Sequence, residues 1–269
     1  MTAPVIYRDY AGPMTDLQTT VAITGIDLSA LIVRDPAAAT AYYRDLLGIP
    51  TTALDDEGRG AEFTLPDGAT IGVWNGGEGT PPGQVLFFAV DDARAAIDAV
   101  RSRDVTMSDA REGAVCVMGW GSDPDGNGFC LHQRKNRDQD APPPASGSDP
   151  ADVVGLDAAG ILTADVPRAM TFYRDVLGMV PTVIYPDEKG GEFTLADGAT
   201  FTIYGTGGES FPPAGVGLLA VRDLDAAVAR LRSRGATISD PMQTPVCSMA
   251  FGTDPEGFMV CLHRRTVTD

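Results

Sequence analysis

Two stretches of this chain repeat one another at a nearly constant spacing. Tyr43-Arg-Asp-Leu-Leu-Gly48 returns as Tyr173-Arg-Asp-Val-Leu-Gly178, and Glu62-Phe-Thr-Leu65 as Glu192-Phe-Thr-Leu195, both displaced by 130 residues. Later landmarks are displaced by 131: Asp92 to Asp223, Cys116 to Cys247, His132 to His263. One residue was therefore gained between about 200 and 207. An offset that holds across this much chain is the signature of a duplicated domain, not of a short stacked repeat.

At 269 residues the chain accommodates two domains of ordinary size. A copy of about 110 residues is long enough to bury its own core. The expected divisions are an N-terminal arm at 1–25, a first domain at 26–134, a Pro-rich linker at 135–154 and a second domain at 155–265. The proportions of 43% hydrophobic and 21% charged residues fit a soluble globular protein. A formal net charge of −17 repels phosphate backbones and anionic lipid, so nucleic-acid and membrane-surface roles are not expected. It reads as a solvated acidic surface. No apolar run is long enough to span a bilayer. The first ten residues lack the basic-then-apolar order of a signal peptide, so the expected location is cytoplasmic. Four cysteines without a Cys-x-x-Cys pair make neither a disulfide framework nor a zinc ribbon.

Within the first copy, Ile26 to Arg34 alternates weakly, as a strand does. Asp35-Pro36 is an N-cap followed by a first-turn proline, and the helix it opens is expected to run to Leu47 and stop at Gly48. Residues 61–65 and 69–74, joined by Asp67-Gly68, read as a hairpin. After a Gly- and Pro-rich loop comes an apolar strand at 85–90. Asp91-Asp92 then caps a second helix, and a last hairpin forms around Asp123-Pro-Asp-Gly126. Each copy thus reads as two βαβββ modules, and the fold class is α+β. The Gly-Gly-Glu and Pro-Pro loops at 76–82 and 207–213 are not phosphate loops, because no helix follows directly and no Lys-Ser/Thr completes them.

The two histidines of the chain fall at matching places, in Cys130-Leu-His132 and Cys261-Leu-His263. Residues two apart on a strand share a face. One reading is therefore a thiol–imidazole pair in which His lowers the thiol pKa and the thiolate attacks or holds an electrophile. The plain reading is a buried inert Cys and a half-exposed strand-end His. Cys116 and Cys130 lie several residues out of step across the last hairpin, so no disulfide is expected.

Three motifs together resemble the vicinal oxygen chelate superfamily, which includes glyoxalase I, extradiol dioxygenases and the fosfomycin and bleomycin resistance proteins. They are the aromatic-Tyr-Arg-Asp-x-Leu-Gly helix end at 42–48 and 172–178, the Val-x-Asp helix start at 90–92 and 221–223, and the Asp-Pro-[Asp/Glu]-Gly turn at 123–126 and 254–257. The resemblance implies that each pair of modules forms an incompletely closed eight-stranded barrel around a cavity. It also implies a divalent metal held by His and Glu on the first, fourth, fifth and eighth strands. Here those places carry Leu28 and Ala158, Gly72 and Thr202, Val85 and Val216, and Cys130 and Cys261. A catalytic metal needs about three protein ligands. Cys130 and His132 supply two at most, so no metal and no cofactor is expected.

With Leu28 and Val85 inward, alternation sends Ala30, Ile32, Phe87 and Ala89 inward as well. In the second copy it does the same for Ala158, Gly160, Leu162, Leu218 and Ala220. Trp74 and Tyr204 occupy matching fourth strands, and Trp120 and Phe251 precede the Asp-Pro turns. The candidate ligand-binding residues are Trp74, Phe87, Trp120, Tyr204, Leu218 and Phe251. The candidate catalytic residues are Cys130, His132, Cys261 and His263. The leading expectation is a metal-free tandem protein that binds a small hydrophobic or aromatic molecule in one or both cavities. The rival is an enzyme: a lyase or isomerase of the glyoxalase type, or a dioxygenase, acting on a reactive carbonyl or aromatic metabolite. A third reading fills the barrels with core and leaves an interaction protein, since one fold hosts many chemistries.

Overall fold

Four aspartates start the four α-helices found among the described residues. The carboxylates of Asp35, Asp92, Asp165 and Asp223 accept hydrogen bonds from the backbone N–H of Ala38, Ala95, Arg168 and Ala226, at 2.9 to 3.1 Å. Each satisfies a donor that the first helical turn leaves open. The helices are α1 (Pro36–Ala41), α2 (Ala93–Arg101), α3 (Val166–Thr171) and α4 (Leu224–Ser233). The computed structural model describes residues 21–136, 149, 152–207 and 216–266. Most of the expected N-terminal arm, the body of the linker and most of the 207–213 loop lie outside the described residues.

The first helix of each copy is shorter than its sequence suggests. The regular helix α1 ends at Ala41, and Tyr42–Leu46 continue as a π-helical turn. The Leu47 N–H reaches back five residues to the Tyr42 carbonyl, and the Ile49 N–H six residues to that of Tyr43. Gly48, at φ +76°, supplies the left-handed residue that closes this end. Phe172–Val176 repeats the arrangement after α3, with Gly178 at φ +72°. A helical periodicity does not separate these hydrogen-bonding patterns, so the run to Leu47 looks uniform in sequence.

The strands follow the βαβββ pattern four times. The first copy contributes β1 (Ile23–Val33), β2 (Ala53–Leu54), β3 (Gly60–Thr64), β4 (Thr70–Asn75), β5 (Gly83–Val90), β6 (Arg111–Glu112), β7 (Cys116–Ser122) and β8 (Gly128–Arg134). The second contributes β9 (Val153–Thr163), β10 (Val183–Ile184), β11 (Gly190–Thr194), β12 (Thr200–Gly205), β13 (Val216–Val221), β14 (Met242–Gln243), β15 (Cys247–Thr253) and β16 (Met259–Arg265). They form two eight-stranded sheets, ordered β2-β3-β4-β1-β5-β8-β7-β6 and β10-β11-β12-β9-β13-β16-β15-β14. Short two-residue strands stand at the ends of both orders, so neither sheet closes on itself. The class is α+β in two tandem domains.

The chain divides into two compact units, and each draws on both copies. The first comprises the described parts of Met1–Asp27, Val85–Asp140 and Gly160–Pro213. The second comprises those of Leu28–Gln84, Ala141–Ala159 and Ala214–Asp269. In the first unit the helix-covered strand faces bury Leu86, Phe88, Phe129, Leu131, Phe193 and Phe201 together with Tyr173 of the π-helical turn. Tyr173 and Phe201 rings lie 4.5 Å apart, and Phe88 meets Phe201 edge-on at 5.4 Å. Each such ring stabilises its unit by about 1.5–3 kcal/mol through burial alone. In the second unit Leu31, Val33, Tyr43, Phe63, Ile71 and Val73 pack with Leu219, Val221, Val228, Leu231 and Leu262.

The repeated motifs meet inside these units. In the first, the Tyr173 hydroxyl donates to Asp123 Oδ2 at 3.2 Å. In the second, the Tyr43 hydroxyl donates to Asp254 Oδ2 at 3.4 Å. Each aspartate also holds its own turn: Asp123 Oδ1 accepts from the N–H of Asp125 and Asn127, and Asp254 Oδ1 from those of Glu256 and Phe258, all at 2.9 Å. Glu256 then takes the backbone N–H groups of Arg34 and Asp35 at 2.9 Å each. The helix-end tyrosine of one copy and the Asp-Pro turn of the other are thus one structural device, made twice. Burial pushes the phenols of Tyr43 and Tyr173 well above the usual tyrosine range. It also raises the carboxyls of Asp123 and Asp254, against the hydrogen bonds that favour their ionised forms.

Candidate functional site: an Asp–His–Arg group on an apolar strand face

In the first unit, β8 lies between β5 and β7. Phe87 is in register with Cys130, and Trp120 and Met118 stand opposite Cys130 and His132. Directly opposed residues point to the same face. Phe87, Met118, Trp120, Cys130 and His132 therefore share one, while Leu86, Phe88, Phe129 and Leu131 fill the helix-covered one. The structure thus brings together four of the residues picked from sequence in the first copy. Phe87, Met118 and Trp120 are partly exposed, whereas Cys130 is completely buried and His132 nearly so.

Cys130 and His132 are not partnered with each other. The Cys130 thiol leans on the Leu131 carbonyl at 3.7 Å. Burial pushes it well above the ordinary thiol range, so the thiolate is disfavoured where the sequence suggested one. His132 instead places Nδ1 2.7 Å from Asp27 Oδ2. Arg134, two residues further along β8, sets its Nε 3.3 Å from Asp27 Oδ1 and an Nη2 donor 3.3 Å from the Asp27 carbonyl. The group is well shielded: the side chains of Asp27, His132 and Arg134 are 10%, 11% and 18% exposed. The edge of one ring meets the face of the other where Phe87 packs on His132, with centroids 5.6 Å apart.

The second unit holds the same arrangement. Leu218 and Phe251 are in register with Cys261, and Met249 stands opposite His263. His263 Nδ1 lies 2.6 Å from Asp157 Oδ2, and Arg265 Nε 3.2 Å from Asp157 Oδ1. The Cys261 thiol is pushed up to about 12 by burial. All four cysteines are buried and none is in a disulfide. Cys116 faces Arg134 across the hairpin and Cys130 faces Trp120, four positions out of step as expected. Leu218 stands at the place that Phe87 takes in the first unit.

Asp27 and Asp157 were missed from sequence. The available signal was a carboxylate inside an apolar first strand at the same place in both copies, one residue before Leu28 and Ala158. What hid it is that its partners lie more than a hundred residues away.

Two other candidates sit on matching fourth strands with different surroundings. In the second unit the Trp74 indole lies over bare backbone: a β-carbon added to Gly60 or Gly72 would come within 2.6 or 2.7 Å of it. Glycine at those two positions is what lets the ring lie down on the strands. In the first unit Tyr204 stacks on Tyr185 at 5.5 Å and 17°. Tyr185 donates to Glu192 Oε1 at 2.6 Å. Its phenol is raised well above the usual range, first by burial and then by the neighbouring Tyr204 and Glu192.

The second unit also has a cleft of about 30 Å³ on its helix-covered side, lined by Ser29, Leu31, Tyr43, Gln84, Leu219 and Val260 among others. That is room for a water or two, not for an organic molecule. Gln84 Nε2 donates to Ser29 Oγ there at 2.7 Å, and Gln84 Oε1 has no partner among the described residues.

A tandem βαβββ chain with open eight-stranded sheets and motif pairs joined across its copies defines a class of two-domain chelate-fold proteins. The model of the Glyoxalase/Bleomycin resistance protein/Dioxygenase superfamily matches residues 25–131 and 155–262, and this chain belongs to that superfamily. Comparison with curated proteins finds no matching sequence. Among solved structures, the Mn(II)-bound glyoxalase from Novosphingobium aromaticivorans is similar at a TM-score of 0.71 and 17% identity, covering 90% of this chain and 82% of that one. Homoprotocatechuate 2,3-dioxygenase from Arthrobacter globiformis is similar at a TM-score of 0.65 and 14% identity, covering 95% and 84%. The halotolerant catechol dioxygenase BphC is similar at 0.65 and 18%, covering 93% and 90%. At these identities the likeness is one of fold.

The divalent metal that the superfamily's chemistry implies does not fit the side chains present. The places for its ligands carry Leu28, Gly72, Val85 and the buried, neutral thiol of Cys130 in the first copy. In the second, Ala158, Thr202 and Cys261 stand at three of them. Among the described residues no group of three His, Cys, Asp or Glu side chains is arranged to hold a metal ion. Among the same residues no helix is long and apolar enough to cross a membrane.

Proposed function

We propose that this protein binds a small, apolar, ring-bearing molecule on the strand faces that carry its Asp–His–Arg groups, without a metal. The observation that carries this reading is the composition of the β5–β8–β7 face. Partly exposed Phe87, Met118 and Trp120 surround one shielded polar group, the mix of apolar wall and few polar points that small-molecule sites use. Leu28, Val85 and Ala158 at metal-ligand places, none of which can hold a metal, support binding over metal chemistry. The buried thiols support it over nucleophilic chemistry, since neither cysteine is set up to ionise. Sequestration of a metabolite or drug is a use consistent with such a face.

Isothermal titration of the whole protein, in buffer containing EDTA, against a panel of naphthalene, indole and alkyl-chain compounds tests the reading. Saturable micromolar binding that survives EDTA and weakens in Trp120→Ala is the expected result. No saturable heat from any ring compound, or binding that needs a divalent ion, would overturn it.

A further inference from the structure

We infer that His132 is a hydrogen-bond acceptor for the bound molecule, held in that role by Asp27, and that His263 with Asp157 repeats it. The inference rests on the binding reading above and adds what the ligand must carry: one O–H or N–H donor on or beside its ring.

The geometry leads there in three steps. An ionised carboxylate can only accept, so the 2.7 Å contact between Asp27 Oδ2 and His132 Nδ1 places the proton on Nδ1. Arg134 Nε stands 3.3 Å from the other carboxylate oxygen, so a cationic donor faces the same side chain. In the neutral imidazole, Nε2 then bears the lone pair. Nε2 has no hydrogen-bond partner among the described residues, yet it is not one of the sealed, orphaned atoms of the interior. A nearly buried ring thus keeps an open acceptor beside the aromatic surface of Phe87. The second copy reproduces each part, with Asp157, His263 and Arg265, beside Leu218 in place of Phe87. The first copy is accordingly the one suited to a planar ring.

A structural role alone would need only the bond to Asp27, so the test reads the other nitrogen. The probes are indole, which carries an N–H, and 1-methylindole, which does not. In the wild-type protein indole is expected to bind about tenfold more tightly, the worth of one hydrogen bond made in a shielded site. In the His132→Phe, His263→Phe double variant the two affinities should converge. In His132→Gln, whose amide oxygen can still accept, part of the preference should return. Equal binding of both probes to the wild type would overturn the acceptor role while leaving the binding reading standing. Binding of neither would overturn both. Independently of any variant, long-range ¹⁵N–¹H correlation spectra of the wild type at pH 8 report the tautomer. A proton on Nδ1 of His132 is expected, and a proton on Nε2 would overturn the inference.

Discussion

Replacing Asp27 by Asn measures what the carboxylate contributes, and the second copy supplies an internal control. The substituted amide keeps an oxygen that can face His132 Nδ1, but the charge-assisted bonds to His132 and to Arg134 are lost. A bond to a charged group is worth about 1.5–3 kcal/mol and a neutral one about 1 kcal/mol. With three side chains only 10%, 11% and 18% exposed, the net loss should be about 2 kcal/mol, since solvent replaces little of it. For a chain of this size that is a fall in Tm of about 4–8 °C. Asp157→Asn makes the same chemical change where the carboxylate is 20% and Arg265 59% exposed, so the arginine contributes little there. Its cost should be about half. The assay is thermal unfolding of both variants with urea titration alongside, where an unchanged m-value shows that the change lies in stability. A cost for Asp157→Asn equal to or above that for Asp27→Asn would refute the reasoning. So would changes within about 0.5 kcal/mol for both, the range of ordinary surface substitutions.

Other consequences follow from burial. The four cysteines are buried and outside any disulfide, so iodoacetamide at pH 8 should leave the native protein unlabelled, with all four reacting in urea; prompt labelling of Cys130 or Cys261 would contradict the sealed thiols. Tyr173→Phe removes a 3.2 Å bond from an aspartate that keeps Asn127 and two backbone donors, and should cost about 1 kcal/mol in urea unfolding. Tyr43→Phe, which gives up a 3.4 Å bond, should cost less. Asp254 has its folded pKa raised by burial, so its protonated form contributes stability below the ordinary carboxylate pKa of about 3.9 and that contribution is lost as pH rises through the folded value. The stability of Asp254→Asn relative to wild type should therefore improve from pH 3 to pH 6, and a difference that is flat or worsens across that window would refute the assignment.

Much of the architecture was legible because duplication made each signal appear twice. Asp35-Pro36 and Gly48 marked the ends of the first helical segment correctly, though not the π-helical turn inside it, which depends on hydrogen bonds that periodicity does not encode. Strand parity set Phe87 inward and put Cys130 and His132 on a shared face, because alternation is a local rule; that Trp120 joins them depends on the register of the last hairpin, which the structure supplies. What each side chain bonds to is not local. The sequence offered Cys130 as the neighbour of His132, two residues away, whereas the nitrogen found Asp27, which the sheet brings from 105 positions earlier. The motifs that carried the family resemblance, Tyr43 and Asp254 or Tyr173 and Asp123, were legible as motifs. That they bond to one another across the copies was not, for the same reason.

The central claim is that these strand faces take an apolar molecule rather than a metal. Native mass spectrometry of the whole protein tests it most directly, after incubation with Mn(II), Zn(II) and Fe(II) in turn and with indole present or absent. The account predicts a bare-chain mass with each metal after desalting, and an added indole mass that does not depend on which metal was offered. Retention of one divalent ion per copy, or an indole adduct that forms only when the ion is present, would contradict it.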